Sequence, residues 1–197
     1  MIMQNRSMSR IKAALAVVSI MVGAGLAYYA THARETGPIC DFNEARDADA
    51  VKKIFKDDWY WLSNREYIPE NIDFVLKTHS PNEYEPRYYG KMSIKVLREH
   101  DTLIGFITYY MLNFYEGKIL FLAINPDFRG KRYGEPLIKY AINDFFNNRG
   151  ATVVRLVTRV DNTSAQKLYI RIGFVETGRD LEDGFIHYAI KKVDWQG

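Results

Sequence analysis

The pattern of apolar and polar residues is clearest over residues 119–147, and the rest of the chain is arranged around this stretch. Residues 119–124 form an unbroken apolar run, which predicts a buried strand, and Asn125 with Pro126 ends it. Apolar residues then recur from Leu137 to Phe146 at the period of a helix. Pro136 fits the first turn of that helix, where its missing N–H costs nothing. The pattern therefore predicts a strand, a loop and a helix in succession.

Weaker patterns on both sides predict the remaining elements. Strands are predicted at 39–42, 92–98, 103–112 and 153–157, with a final strand pair from Phe174, and helices over 51–62, 71–77 and 163–172. Asp47 is a candidate cap for the first helix; Asn162 caps the last one, and Gly173 closes it. Residues 79–89 are predicted to form a loop, and Gly117 to lie in the turn before the central strand. Sequential strands favour antiparallel pairing and the helical crossover favours one parallel neighbour, so we expect a mixed α+β single domain.

The loop over residues 129–134, RGKRYG, concentrates positive charge between the predicted strand and the predicted helix. Unpaired backbone N–H groups and the positive end of a helix dipole converge at such a place. Its two glycines, Gly130 and Gly134, allow the backbone to approach a ligand closely. The loop is therefore suited to a phosphate or a pyrophosphate. An ordinary link with solvated basic side chains is the alternative.

A second motif, DNTSAQKLYIRIGF, follows about thirty residues after the loop. Together with NPDFRGKRYG it resembles the GCN5-related N-acetyltransferase (GNAT) superfamily. The family's later helix reads Asn-x-x-Ala-x-x-Leu-Tyr-x-x-x-Gly-Phe and is matched in full from Asn162 to Phe174. Its phosphate loop reads Gln/Arg-x-x-Gly-x-Gly/Ala; Arg129 and Gly134 match, but Arg132 replaces the first glycine. The resemblance covers residues 39–193 and implies a mainly antiparallel twisted sheet of about six or seven strands flanked by helices.

The resemblance also implies an acetyl-CoA-dependent N-acyltransferase that acetylates a primary amine of a small molecule, peptide or protein. It assigns the pantetheine arm to backbone groups of the central strand and to the N-terminus of the later helix, and the pyrophosphate to the basic loop. The implied contacts are Leu122, Ala123, Ile124, Arg129, Gly130, Lys131, Arg132, Tyr133, Gly134, Asn162 and Ala165. We expect Arg132 to adopt an ordinary negative φ because it carries a Cβ. The N-cap role alone also accounts for Asn162.

Acyl transfer to an amine requires a proton donor for the leaving thiolate and a route for the proton of the amine. Tyr169 is the candidate general acid; packing as a core tyrosine is its alternative role. Relatives often carry a glutamate on the central strand, near the position of Leu120, and leucine cannot accept a proton. Glu116, a water chain or an amine that arrives neutral are alternatives for the base, as are the other titratable side chains Tyr109, Tyr110, Tyr115, His100 and His187.

The acceptor is expected to enter opposite the donor, beside the aromatic residues Trp59, Trp61, Tyr67 and those at 84–89.

Composition limits the classes of partner and cofactor that the chain can be expected to bind. A net charge of +3 in 197 residues gives no basis for nucleic-acid binding. Only Cys40 is present, so an internal disulfide framework is excluded. No His, Cys and carboxylate cluster has ligand spacing, and no metal is expected.

Residues 13–30 are an uncharged, mostly apolar run preceded by Arg6, Arg10 and Lys12. We favour an N-terminal apolar helix that acts as a membrane anchor, since the run is close to the ~20 residues that span a bilayer. A secretory signal with a cleavage site near Ala33 is the alternative. Either leader would precede a domain at 39–197 and predicts membrane association or export, with the side of the membrane open. A membrane-tethered domain that binds CoA or a peptide without turnover is the alternative to the enzyme.

Overall fold

Seven strands and three α-helices make up the described part of the computed structural model, residues 39–62 and 89–197. The strands are β1 (Ile39–Asp41), β2 (Tyr89–Glu99), β3 (Thr102–Met111), β4 (Glu116–Ile124), β5 (Val153–Arg159), β6 (Val175–Asp180) and β7 (Phe185–Lys191). The helices are α1 (Glu44–Leu62), α2 (Gly134–Asn143), which continues as a π-helical turn (Asp144–Asn148), and α3 (Thr163–Ile172). One sheet has the order β1-β2-β3-β4-β5-β7-β6, and only β4 and β5 pair in parallel. The predicted α+β class with a mainly antiparallel sheet is confirmed.

The two faces of the sheet carry separate apolar clusters. Helix α1 places Val51, Ile54 and Phe55 on β2, β3 and β4, where the ring of Phe55 meets that of Phe121 edge-on at 5.0 Å. Helix α2 packs on the opposite face through residues such as Leu137 and with support from α3. Since each helix buries one apolar stripe, the sheet becomes the middle layer of the domain.

The start of α1 corrects the predicted cap. Asn43, and not Asp47, holds the first turn, because its side-chain oxygen accepts from the N–H of Arg46 at 3.1 Å. Asp47 lies inside the helix, fully buried, and accepts from the backbone N–H of Asn43 at 2.9 Å. It also pairs with Arg98 at 2.5 Å and with Arg46 at 2.8 Å. The carboxylate therefore ties the helix to β2 instead of capping it.

Strand β4 begins earlier than predicted. Gly117, expected in a turn, lies within the strand beneath the ring of Phe145. An added Cβ there would come within 2.5 Å of that ring, so only glycine fits under α2. The ladder to β3 then pairs Tyr109 with Ile119 and Thr108 with Phe121, which leaves Leu120 as the extra residue of a β-bulge.

Several predictions concern residues outside the described ranges. These are the apolar segment 13–30, the short helix 71–77, and the loop 79–89 except for Tyr89, which begins β2. Within residues 39–62 and 89–197, no helix is both long enough and apolar enough to span a bilayer.

Candidate active site

The site is a fork between the two parallel strands. Strands β4 and β5 pair only between Glu116–Lys118 and Val153–Arg155, and beyond these residues they separate. A cavity of about 650 Å³ occupies the opening. Its walls come from β4, β5, the N-terminal ends of α2 and α3, and the last turn of α1 through Asp58, Trp61 and Leu62. Tyr67 and residues 84–88, also expected near the acceptor, lie outside the described part of the chain.

The open edge of β4 presents backbone groups to this cavity. The N–H of Asn125 donates to Ile104 O at 2.8 Å, and that of Phe121 donates to Thr108 Oγ1 at 3.1 Å. Backbone groups alternate in direction along a strand, so those of Leu122 and Ile124 point away from β3 and into the fork. The backbone of Ala123 faces β3, opposite Phe106. Of the three predicted pantetheine contacts, Leu122 and Ile124 therefore have the orientation that an extended amide-bearing arm requires.

The basic loop ends at an uncapped helix. Helix α2 begins at Gly134, and Tyr133 at the N-cap position provides no side-chain hydrogen bond. The N-terminal turn thus keeps backbone donors for an anion. Gly134 also allows close packing, because an added Cβ would lie 3.1 Å from Leu168 Cδ2.

Arg132 adopts φ +62°, and Gly130 adopts φ +75°. The expectation of a negative φ at Arg132 is wrong: the loop keeps the left-handed turn although the residue is not glycine. This conformation costs about 1–2 kcal/mol for a residue with a Cβ. The loop geometry therefore outweighs the local preference of the arginine.

The three basic side chains of the loop have different roles. Arg129 pairs with Asp58 of α1, and its Nε donates to Ile124 O at 3.1 Å. Lys131 Nζ lies 5.2 Å from the centre of the Phe128 ring. Arg132 is exposed and has no ion-pair partner among the described residues. Arg129 thus fixes the loop against α1 and β4, and the guanidinium of Arg132 stays exposed.

The start of α3 forms the opposite wall. The side-chain oxygen of Asn162 accepts from the N–H of Ala165 at 3.2 Å, which is the predicted N-cap. Both residues line the cavity. Gly173 ends the helix at φ +107°, as predicted, and the chain then enters β6. Asn162 therefore serves as the cap and also lies where the resemblance places a donor contact.

Tyr169 lies beside the fork and lines the cavity with 7% of its surface exposed. Its ring lies 5.8 Å from that of Tyr188, which pairs with Leu156 of β5. Burial, with a smaller contribution from Tyr188, raises the pKa of Tyr169 above its ordinary value. The phenol is therefore neutral at physiological pH and can donate a hydrogen bond into the cavity.

The candidate bases lie away from the cavity. Glu116 sits at the closed end of the fork, where it pairs with Arg155 at 2.5 Å. Tyr109 donates to Asp144 at 2.9 Å behind β4, and Tyr110 belongs to the apolar cluster under α1. Leu120 does line the cavity and has no titratable group. Tyr115, His100 and His187 do not line this cavity either. A water chain and an amine that arrives neutral are the alternatives that need no side chain of the cavity.

Two charged residues near the fork were not predicted from the sequence. Asp58 lies on the apolar stripe of α1, one turn after Phe55, and a carboxylate in that position indicates a buried partner. Lys118 is a half-buried charged residue of β4, directly before the apolar run 119–124. A charged residue within or next to a hydrophobic pattern is the signal that could have identified both.

A profile of the Acetyltransferase (GNAT) family matches residues 48–174. The chain belongs to this family. Membership confirms the predicted enzyme class, an acyl-CoA-dependent N-acetyltransferase with acetyl-CoA as co-substrate.

Individual relatives agree with the family assignment. The spermidine N(1)-acetyltransferase of Vibrio cholerae is 26% identical over 135 residues, which cover 68% of this chain and 75% of that protein. An uncharacterized N-acetyltransferase of Methanocaldococcus jannaschii is 33% identical over 72 residues, 36% of this chain and 30% of that protein.

Solved structures show that the fold is that of the GNAT family. The crystal structure of the Vibrio cholerae spermidine N-acetyltransferase with CoA and spermine matches with a TM-score of 0.64 at 16% identity, covering 80% of this chain and 96% of that one. The ribosomal-protein-alanine N-acetyltransferase of Brucella melitensis matches with a TM-score of 0.62 at 15% identity, covering 79% and 99%.

Proposed function

We propose that this GNAT protein transfers an acetyl group from acetyl-CoA to the primary amine of a small molecule, peptide or protein, with the donor held in the fork between β4 and β5. The observation that carries this proposal is the separation of the two strands beyond Lys118. It exposes the backbone edge of β4 next to the uncapped N-terminus of α2. A cavity that is lined by the unpaired side of a strand and by the N-terminus of a helix suits a ligand that combines amides with a diphosphate.

The donor contacts follow from this arrangement. The backbone of Leu122 and the N–H of Ile124 would bind the pantetheine amides, while the backbone from Gly130 to Gly134 and the side chain of Arg132 would bind the pyrophosphate. Arg129 acts as a positioning residue, since it joins the loop to Asp58 and to Ile124 O. Acetyl-CoA supplies an activated acyl group as a thioester.

Transfer forms a C–N bond and breaks a C–S bond, so a proton leaves the amine and a proton reaches the departing sulfur. Tyr169 is the residue we assign to the sulfur, because it lines the cavity beside the fork. A thiol has an ordinary pKa near ~8.5, below the raised pKa of this phenol. Tyr169 therefore stabilises the developing thiolate chiefly as a hydrogen-bond donor, and water completes the protonation. Water also carries away the proton of the amine.

The relatives' names suggest acceptors to test. Spermidine is named for the Vibrio cholerae enzyme and the alanine of ribosomal proteins for the Brucella melitensis enzyme. The alternative is a tethered domain that binds CoA or a peptide without turnover. Leu120 favours it, because leucine lines the cavity and provides no base.

Release of free thiol from acetyl-CoA in the presence of an amine panel tests the proposal. We expect acceptor-dependent thiol from a folded protein that is saturated with CoA, and an acetylated amine of matching amount by mass spectrometry. Binding of CoA without acceptor-dependent thiol for any amine would refute turnover and favour the tethered binding domain.

We propose separately that residues 13–30 anchor the catalytic domain at 39–197 to a membrane. Their uncharged, mostly apolar composition supports it. Fractionation of the native full chain decides the matter: an anchored protein stays with the membranes in high salt and alkaline carbonate. A soluble protein that keeps its N-terminus would refute the anchor.

A further inference from the structure

A second cavity, here called the basic groove, lies beside the closed end of the fork. It has a volume of about 390 Å³ and is lined by residues including Glu116, Lys118, Arg155, Val157, Arg179 and His187. Side chains alternate between the two faces of a strand. Val154 and Leu156 of β5 face α2 and α3, so Arg155 and Val157 place the basic groove on the opposite face of the sheet.

The basic groove meets the donor cavity at the fork. Leu156 and Val157 line both cavities, and Lys118 with Arg155 is the last residue pair before β4 and β5 separate. A donor in the fork and an amine in the groove would therefore meet where β4 and β5 separate. The groove is the natural place for the part of the acceptor that does not react.

The charges of the groove are unbalanced. Arg155 pairs with Glu116 at 2.5 Å, and Arg179 pairs with Glu176 at 2.6 Å. Lys118 makes no hydrogen bond or ion pair of its own in the described part of the chain, and it is only partly exposed. The described lining thus carries a surplus positive charge at Lys118, next to the fork.

Lys118 is also poorly solvated. Burial lowers its pKa, and the charge of Glu116 opposes that shift. An ammonium group that has lost part of its hydration gains more from an anionic partner than an exposed lysine does. A second cation placed there would instead be repelled.

We infer that the basic groove selects an acceptor whose amine is joined to an anionic group, such as a carboxylate, and that Lys118 binds this group. The inference rests on the proposed acetyl transfer and narrows its substrate class. It disfavours polyamines, since spermidine would bring positive charge to a groove that already has a surplus.

Matched acceptors test the charge preference. β-Alanine and glycylglycine are compared with their carboxamides, and spermidine serves as a cationic probe, in both kcat/KM and equilibrium binding to the CoA-loaded full chain. We expect the carboxylate forms to be favoured about tenfold, the size of one charged hydrogen bond. Equal binding of the acids and the amides, or stronger binding of spermidine, would overturn the inference.

Variants identify the residue responsible. Lys118→Met should abolish the tenfold preference, Lys118→Glu should reverse it, and Lys118→Arg should keep most of it. The KM for acetyl-CoA should stay within about twofold in each, because Lys118 lies outside the donor cavity. Lys56→Met, at an exposed position of α1, is the matched control and should change nothing. If Lys118→Met weakens acids and amides equally, the inference fails.

The two proposals fail in different ways. No thiol release with any acceptor refutes acetyl transfer, while the dissociation constants still decide the charge preference. Thiol release with amides and polyamines as efficient as with acids refutes the charge preference and leaves acetyl transfer intact. Absence of measurable binding by every probe also overturns the inference.

Discussion

Replacing Arg132 by glycine should stabilise the domain, because Arg132 adopts φ +62° in the basic loop. A residue with a Cβ loses about 1–2 kcal/mol in this conformation. Glycine removes that cost but adds freedom to the unfolded chain, worth about 0.4–1 kcal/mol. The difference predicts that Arg132→Gly exceeds Arg132→Ala in unfolding free energy by about 1 kcal/mol, since both variants lack the guanidinium and only one lacks the Cβ.

Urea unfolding measures this difference, and calorimetry should show a melting temperature higher by about 2–4 °C for the glycine variant. Lys131 provides the control, because it is adjacent and does not share the positive φ. Lys131→Gly should be less stable than Lys131→Ala. If Arg132→Gly is no more stable than Arg132→Ala, the left-handed loop does not carry the strain assigned to it.

The same pair of variants distinguishes the contribution of the Arg132 side-chain charge to CoA binding from that of the loop backbone. Both lose the exposed guanidinium, so the Kd for CoA should rise about two- to fivefold in each, the range of an exposed ion pair. An unchanged Kd in both variants would show that Arg132 does not contact the phosphates. The backbone N–H groups at the N-terminus of α2 would then bind the anion without it.

Three further predictions concern the site and its supports. Tyr169→Phe should lower kcat about 100-fold with an unchanged Kd for CoA, and an unaltered kcat would refute its role. The pH profile of the wild-type rate should show no ionisation of Tyr169 below pH ~10, because burial raises its pKa. Asp58→Asn should raise the KM for acetyl-CoA about tenfold with little change in kcat, since it removes the partner of Arg129; an equal loss in kcat would contradict a positioning role. Burial opposes ionisation of Asp47, but the hydrogen bonds from Arg46 and Asn43 prevail and lower its pKa. Asp47→Asn should therefore cost about 3 kcal/mol in urea at pH 7 and progressively less as the pH falls below ~3.9, where the unfolded carboxylate protonates; a cost independent of pH would contradict the ion pair.

Local patterns were sufficient to predict the secondary structure around the basic loop and at α3. The apolar run of β4, Pro136 in the first turn of α2, the Asn162 cap and Gly173 after α3 are each decided by residues within a few positions. The cap of α1 was misassigned because Asn43 and Asp47 are both acceptable caps by type. Only the position of Arg98 on β2 shows that Asp47 is buried in an ion pair.

The sequence by itself determined the family, the α+β class and the place of the basic loop, because these depend on short motifs and on periods of two and 3.6 residues. The tertiary structure alone decided what surrounds the reacting atoms. The bulge at Leu120 and the divergence of β5 open the fork, the sheet packs Tyr169 against Tyr188, and the pairing of Lys118 with Arg155 sets the basic groove beside the donor cavity. These are contacts between residues far apart in the chain, and no local pattern records which distant residue will be the neighbour.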